Sequence, residues 1–194
     1  MNGNSQEKRS YEISLSLSTV TILEILLLFF AGGLVAYMHF NLRIPLNIPG
    51  HHGLEFMGVY ALIRLTSNLR YAGTIAMLGT GIVLLIPGAG GGTILHGFSY
   101  LLPGIILDLA YMLGKHRLRS LIVITFISGL AYMFIPLTRL ALNAFTGYPY
   151  MALVKYGPFY TILSFFFFGM LGGMLGYGLF AVKKSFTKPN INIQ

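Results

Sequence analysis

The stretch NLRIPLNIPGHHGLEFM, residues 41–57, is the longest interruption in a chain that is otherwise mostly apolar. Pro49 and the glycine after it form a turn signal. The paired histidines His51 and His52 then open a new apolar run, with Glu55 one turn further on. If a helix starts just after the histidines, its dipole favours the carboxylate and disfavours a protonated imidazole. The stretch is therefore either a polar connection between two helices or the lid of a ligand site.

The composition indicates a membrane protein. The chain has 194 residues, of which 55% are hydrophobic and only 9% are charged, and its mean hydropathy is +0.74. Soluble domains carry about 25% charged residues. Cysteine is absent, which excludes disulfides, cysteine-based metal sites and thiol catalysis.

Six apolar segments are candidates for membrane-spanning helices, since a bilayer core of about 30 Å needs about 20 apolar residues. They cover residues 18–40, 53–66, 70–88, 93–113, 118–141 and 158–182. The second segment is short and carries two charges, so its assignment depends on topology. The fold class that we expect is all-α, a six-helix transmembrane domain over 18–185. A cytoplasmic N-terminal segment, 1–17, would precede it and a cytoplasmic tail, 186–194, would follow.

The basic residues orient this topology. With the N-terminus in the cytoplasm, ten of the 13 Lys and Arg residues lie inside and three lie outside, as the positive-inside rule requires. Without the second helix, Arg64 and Arg70 would move outside. Both termini are thus expected in the cytoplasm, with the chain spanning the membrane several times. The net charge of +8 then reflects topology, and nucleic acid is not an expected partner.

The sequence contains no recognisable nucleotide-binding motif. The glycine run at 88–92 lacks the Lys-Ser/Thr pair that a P-loop needs to reach phosphates. If the protein moves a substrate with ATP, another subunit supplies the ATPase.

Polar residues on the predicted outer side are the candidate substrate-binding set. They are His39, Arg43, Asn47, His51, His52, Glu55, His96, Arg139, Asn143, Tyr148, Tyr156 and Tyr160. Imidazole and carboxylate suit Zn, Ni, Co or Cu, and the candidate metal ligands are His51, His52 and His96. Hydrogen bonding to an organic ligand and helix capping are the alternatives. The tyrosines form either an aromatic belt at the membrane interface or a wall for a flat ligand.

Charged residues within the helices are expected on the inner half. Glu24, Arg64 and Asp108 lie at similar depth in this topology, and intramembrane carboxylates are costly unless paired or functional. A structural ion pair is the favoured interpretation, ahead of partner docking and a proton relay.

Small residues four positions apart predict close helix contacts. The pairs are Gly32 with Ala36, Ala72 with Ala76, Gly169 with Gly173, and Gly172 with Gly176.

RIPLNIPGHHGLEFM and the closing FGMLGGMLGYGLFAVKKS, together with this architecture, resemble the substrate-binding S component of energy-coupling factor transporters, over about 18–185. The resemblance implies that the chain captures a vitamin-like small molecule or a metal ion at the outer face, with the first outer loop as a lid. A transmembrane coupling subunit and two ATPase subunits would complete the importer and use the ATP. The resemblance also implies the plasma membrane of a prokaryote. This chain would then be no enzyme and would carry no cofactor.

Two other functions remain open at this stage. One is an intramembrane metalloenzyme that uses His39, His51, His52, His96 and Glu55. The other is a scaffold subunit without a ligand.

Overall fold

The computed structural model describes residues 3–41, 47–86, 94–147 and 149–187, with side chains at all of these except 3–18, 40, 94–98 and 187. Within these ranges the protein is all-helical, as the sequence predicts. The helices are α1 (Gly3–Asn41), α2 (Gly53–Thr66), α3 (Ala72–Leu85), α4 (Ile94–Leu118), α5 (Leu121–Thr146), α6 (Met151–Tyr156) and α7 (Pro158–Thr187).

The six longer helices run up and down, and the short α6 lies in the connection between α5 and α7. Around the bundle the packing order is α1, α3, α4, α5, α7 and α2, and α2 also contacts α3, α4 and α5. We call the end that holds His39, His52 and Glu55 the His52 end. The opposite end, which holds Arg64 and Asp108, is called the Arg64 end.

Helix α2 is the best-buried helix of the bundle. Phe56, Met57, Tyr60 and Arg64 are all at most 1% exposed. The predicted segment 53–66 and the observed helix coincide. Helix α2 can carry polar residues despite its burial, because neighbouring helices supply hydrogen-bond partners for them, as Asp108 of α4 does for Arg64.

Among the described residues, three helical segments are long and apolar enough to cross a membrane: Thr19–His39, Leu121–Thr146 and Pro158–Phe186. Helix α3 is apolar but shorter. Large apolar side chains on the long segments face outward, such as Leu27 at 70% and Phe167 at 55% exposure. This pattern suggests a membrane protein, because such surface is stable only against lipid or a partner.

Glycines bring the helices together where the small-residue pattern predicts it. A Cβ on Gly32 of α1 would overlap the carbonyl oxygen of Ala76 on α3. A Cβ on Gly172 or Gly176 of α7 would overlap the backbone of α2, at Gly53 and Gly58. These contacts confirm that the small residues mark helix interfaces.

Several observed boundaries differ from the predicted ones. Helix α1 begins at Gly3 and therefore runs through the expected boundary at residue 17, and α7 continues through 185 to Thr187. Helix α4 extends to Leu118 across a non-helical Gly114. The sequence did not predict α6. The tail beyond 187 lies outside the described residues.

Candidate functional site

The His52 end brings together two imidazoles and a carboxylate. The Nδ1 atom of His52 lies 2.8 Å from Oε1 of Glu55, and Nδ1 of His39 lies 3.4 Å from the same oxygen. An ionised carboxylate can only accept, so the imidazoles donate. The ring centroids of His39 and His52 are 3.8 Å apart. All three side chains are partly buried, with exposures of 18% to 24%.

Helix geometry places these groups. His39 belongs to the last turn of α1, His52 directly precedes α2, and Glu55 lies in the first turn of α2. Burial, followed by the neighbouring His39, lowers the pKa of His52 to about 4. At neutral pH this imidazole is therefore uncharged and retains one nitrogen lone pair for bonding.

Residues 47–52, which precede α2, are held at the His52 end by hydrogen bonds from other helices. The hydroxyl of Tyr156 donates to the carbonyl of Asn47 at 2.8 Å, and the hydroxyl of Ser164 donates to the carbonyl of Pro49. Gly50 has φ +81° and rests on the ring of Phe165, so a side chain at this position would be strained and would clash. Helices α6 and α7 thus hold residues 47–52 over this end of the bundle.

Arg139 of α5 lies at the same end, between two tyrosines. Its guanidinium carbon is 4.4 Å from the ring centroid of Tyr150 and 5.4 Å from that of Tyr100, and side-chain hydrogen bonds link it to both. Its Nε is buried and has no hydrogen-bond partner. Burial raises the pKa of Tyr150, so its hydroxyl stays protonated and can also donate.

Aromatic rings connect Arg139 to the histidines. The centroid of Phe56 lies 5.2 Å from that of His39 and 5.8 Å from that of Tyr100, and Tyr100 contacts Arg139. Tyr132 packs over the backbone of Gly53, which anchors α5 to the start of α2. A carboxylate with its imidazoles and a guanidinium therefore lie on either side of an aromatic row.

The structure places the other predicted site residues as follows. His51 donates within its own turn, from Nδ1 to the carbonyl of Ile48 at 2.7 Å. Asn143 is half-buried on α5 and has interaction partners. Tyr160 is 49% exposed, with its ring 6.0 Å from that of Tyr156. The side chain of His96, and the whole of Arg43 and Tyr148, lie outside the described part of the chain.

The candidate metal set changes accordingly. The cluster with ligand atoms within 4.8 Å of one another consists of His39, His52 and Glu55. His51 is directed to the turn carbonyl, although its ring lies 3.8 Å from that of His52. The sequence set of His51, His52 and His96 thus shares only His52 with the described cluster.

Sequence reasoning missed four aromatic residues of this end. Tyr100 lies one helical turn after His96, and Tyr132 lies two turns before Arg139, so helical spacing could have found both. Phe56 follows Glu55 directly, and its apolar character gave no signal. Tyr150 belongs to the tyrosine-rich segment that predicts either an aromatic belt or a wall for a flat ligand, but it is absent from the predicted site set.

The Arg64 end contains a second polar cluster, and it is closed. Arg64 and Asp108 form an ion pair with NH1 2.6 Å from Oδ1, and the two side chains are at most 2% exposed. The guanidinium also donates to the carbonyls of Ser67 and Leu69, at 2.9 and 2.7 Å, and lies 3.7 Å from the ring centroid of Tyr111. The predicted structural ion pair is confirmed for Arg64 and Asp108.

Asp108 also caps a helix. Its carboxylate accepts from the backbone nitrogens of Gly73 and Thr74, at 3.0 and 2.7 Å, and from the Thr74 hydroxyl at 2.7 Å. These groups belong to the first turn of α3, where a carboxylate is favourable. Glu24 does not join this pair, and instead accepts from the Ser67 hydroxyl at 2.6 Å.

A cavity of about 500 Å³ opens at the Arg64 end beside α7. Its lining consists of Arg119, Tyr177, Phe180, Ala181, Lys184 and Ser185. Arg119, Lys184 and Ser185 are exposed, so this is an open surface groove, and it is remote from the histidine cluster.

No protein-family model matches this chain, and no curated protein or solved structure is significantly similar to it.

Proposed function

We propose that the protein is the substrate-binding subunit of an energy-coupling factor importer and captures a vitamin-like small molecule at the outer membrane face. The observation that carries this proposal is the convergence of His39, His52, Glu55 and Arg139 at one end of the bundle. Ligand sites are mostly apolar and have a few convergent polar groups, and this end has that character.

The fastened connection supports a capture site. Residues 47–52 cross the His52 end and are tied down by two hydrogen bonds to backbone carbonyls, from Tyr156 and Ser164. The donors of both hydrogen bonds belong to α6 and α7, and neither donor belongs to α2. Breaking them would free the connection without unfolding α2, which is what a lid requires.

The proposed orientation has six spans, both termini in the cytoplasm and the His52 end outside. The basic asymmetry supports it. Because the chain has no cysteine, single cysteines report topology cleanly. Phe145→Cys at the His52 end should react with an impermeant thiol reagent in intact cells, and Ser185→Cys at the Arg64 end should be shielded. The reverse labelling pattern would refute the orientation.

The proposed import depends on partner subunits, namely a transmembrane coupling protein and two ATPases. The absence of a nucleotide-binding motif in the sequence supports this division of labour. Purified alone, the protein should retain a small molecule that mass spectrometry detects after denaturation. In liposomes it should bind that molecule without concentrating it. ATP-linked accumulation by this chain alone, or purification of a folded protein that never carries a small molecule, would overturn the proposal.

A second candidate function is a metal site, as cargo or in an intramembrane metalloenzyme. Two imidazoles and one carboxylate form a known zinc ligand set that leaves a coordination position open, and His39, His52 and Glu55 have their ligand atoms within 4.8 Å. Protein purified without chelator would then hold stoichiometric metal by elemental analysis. The metal should be lost in His39→Ala and kept in His51→Ala. Turnover of a substrate would separate the enzyme from a metal importer.

A further inference from the structure

Arg139 has no carboxylate partner in the described structure. Its contacts are with two tyrosines, through ring faces and hydroxyls, and its buried Nε has no hydrogen-bond partner. The buried arginine at the other end, Arg64, has both a carboxylate and two carbonyls. The Nε of Arg64 is also buried without a partner, so the two arginines differ in the carboxylate and the carbonyls that Arg64 contacts and Arg139 lacks.

The acidic residues of the chain are few enough to account for each one. There are five, and three of them have partners elsewhere: Glu24 with Ser67, Glu55 with the two histidines, and Asp108 with Arg64. The remaining two, Glu7 and Glu12, lie near the start of α1. At 1.5 Å per residue, Glu12 lies about 40 Å along α1 from its His52 end. Among the described side chains, no carboxylate forms an ion pair with Arg139, and Glu7 and Glu12 belong to the far end of α1.

Arg139 is half-buried and its guanidinium is partly desolvated, and a desolvated charge without a counterion costs free energy. Arginine also presents a planar fork that fits carboxylate and phosphate. The surroundings of Arg139 add two tyrosine hydroxyls that can donate to the same anion. A group that fits this place carries negative charge and accepts several hydrogen bonds.

We propose that Arg139, with Tyr100 and Tyr150, binds the anionic group of the captured ligand, which is an organic carboxylate or phosphate. This inference rests on the proposed capture function and specifies its ligand class. The aromatic row of Tyr100 and Phe56 leads from Arg139 towards the His39 cluster, so the apolar body of the ligand lies along it. Glu55 and the histidines then face the other end of the ligand.

The experiment compares acids with their neutral counterparts. Thermal unfolding of the detergent-purified protein is followed with benzoate against benzamide, nicotinate against nicotinamide, and phenyl phosphate against phenol. At least one anion should raise Tm more than its neutral counterpart, and the pairs distinguish carboxylate from phosphate. Titration of that anion should show binding about ten- to hundredfold weaker in Arg139→Gln, the expected effect of losing a charge-assisted hydrogen bond.

Arg119→Gln is the matched control, since Arg119 lies just before α5 at the opposite end of the same helix. This variant should bind the anion as the wild type does. Arg139→Lys keeps the charge without the fork and should bind at intermediate strength. Because removal of an unpaired cation need not destabilise the protein, Arg139→Gln should keep the Tm of the ligand-free wild type to within a few degrees.

Equal Tm shifts for acids and their neutral counterparts, or no shift by any anion, would overturn the inference. An anion effect that persists unchanged in Arg139→Gln would do the same. In those cases a co-purified neutral molecule held at the His52 end would leave the capture function standing. Absence of any co-purified molecule would instead count against the capture function itself.

Discussion

The two ends of the bundle hold arginines in contrasting surroundings. Arg64 is fully buried, and its guanidinium contacts a carboxylate, two carbonyls and an aromatic face. Arg139 is half-buried and contacts two tyrosines without a carboxylate. The closed cluster at the Arg64 end joins α2, α3 and α4, whereas the polar groups at the His52 end still have lone pairs and donors available.

The comparison separates a charged residue that stabilises the fold from a charged residue that is still able to bind a ligand. A buried charge that has its counterion within the chain, as Arg64 has in Asp108, stabilises one arrangement of helices and has little left for a ligand. A charge without a counterion in the chain lowers the stability of the fold unless a ligand or a partner supplies the counterion. The presence of a carboxylate counterion within the chain therefore distinguishes Arg64 from Arg139.

The largest expected effect comes from opening the closed cluster. Asp108→Ala leaves Arg64 buried without its counterion and leaves the first turn of α3 uncapped. We expect a loss of about 3–5 kcal/mol in folding free energy, visible as poor yield of monodisperse protein and a much lower Tm in detergent.

The double variant Arg64→Met with Asp108→Leu is the control for this substitution. It removes both charges and keeps apolar volume, so it should recover a substantial part of the lost stability. Wild-type stability of Asp108→Ala alone would show that the cluster is not a structural element.

The next effect concerns binding at the His52 end. His52→Ala and Glu55→Ala each remove one partner of a part-buried hydrogen bond, which should weaken retention of the co-purified small molecule about ten- to hundredfold. Both variants should stay folded. Lys115→Ala and Lys184→Ala, at the Arg64 end, should retain the molecule normally. If the His52 and Glu55 variants retained the molecule and the Lys115 and Lys184 variants lost it, the binding site would lie at the Arg64 end instead.

A smaller effect is expected at the margin of the closed cluster. The Ser67 hydroxyl donates to Glu24 at 2.6 Å and so ties α1 to the turn after α2. Ser67→Ala should lower the folding free energy by about 1 kcal/mol, measured by thermal unfolding. Ser185→Ala, on the exposed surface of α7, should change nothing. Equal Tm values for the two variants would remove Glu24 from the stabilising network.

The smallest effect is the pH dependence of the His52 end, measured with chelator and without ligand. The pKa of His52 lies at about 4 in the folded protein, below the ordinary value of about 6.5. The unfolded chain then binds more protons between these values, so stability falls as the pH is lowered from about 6.5 to about 4. The effect is reduced by solvent screening, since the side chain is 24% exposed. His52→Gln should flatten this part of the Tm profile, and an identical profile would show that His52 does not titrate as described.

The sequence predicted much of the helical architecture because apolar runs and small residues report local requirements. The segment 53–66 was found despite its low hydropathy, because the positions of Arg64 and Arg70 required a helix there. Gly32, Gly172 and Gly176 marked real interfaces. The partner of Arg64 was also expected, since the chain offers few carboxylates at that depth.

The site was predicted less well, because its geometry depends on how the connection folds. A one-residue difference turns His51 towards the carbonyl of Ile48 and His52 towards Glu55, and the periodicity of the chain does not report this choice. Helix α6 is only six residues long and gives no periodic signal. Tyr100 contributes through a contact with Arg139 on another helix, which local patterns do not encode.

The packing of α2 against α7 has a consequence for synthesis. Gly172 and Gly176 of α7 lie directly against the backbone of α2, yet α7 is the last helix in the described chain and α2 is the second. The ribosome delivers α2 long before its principal neighbour exists. During translation, α2, with Arg64 in its final turn, must therefore wait in an incomplete assembly. In a nascent chain that stops before α7, the backbone of α2 at Gly53 and Gly58 lacks the helix that covers it in the folded protein.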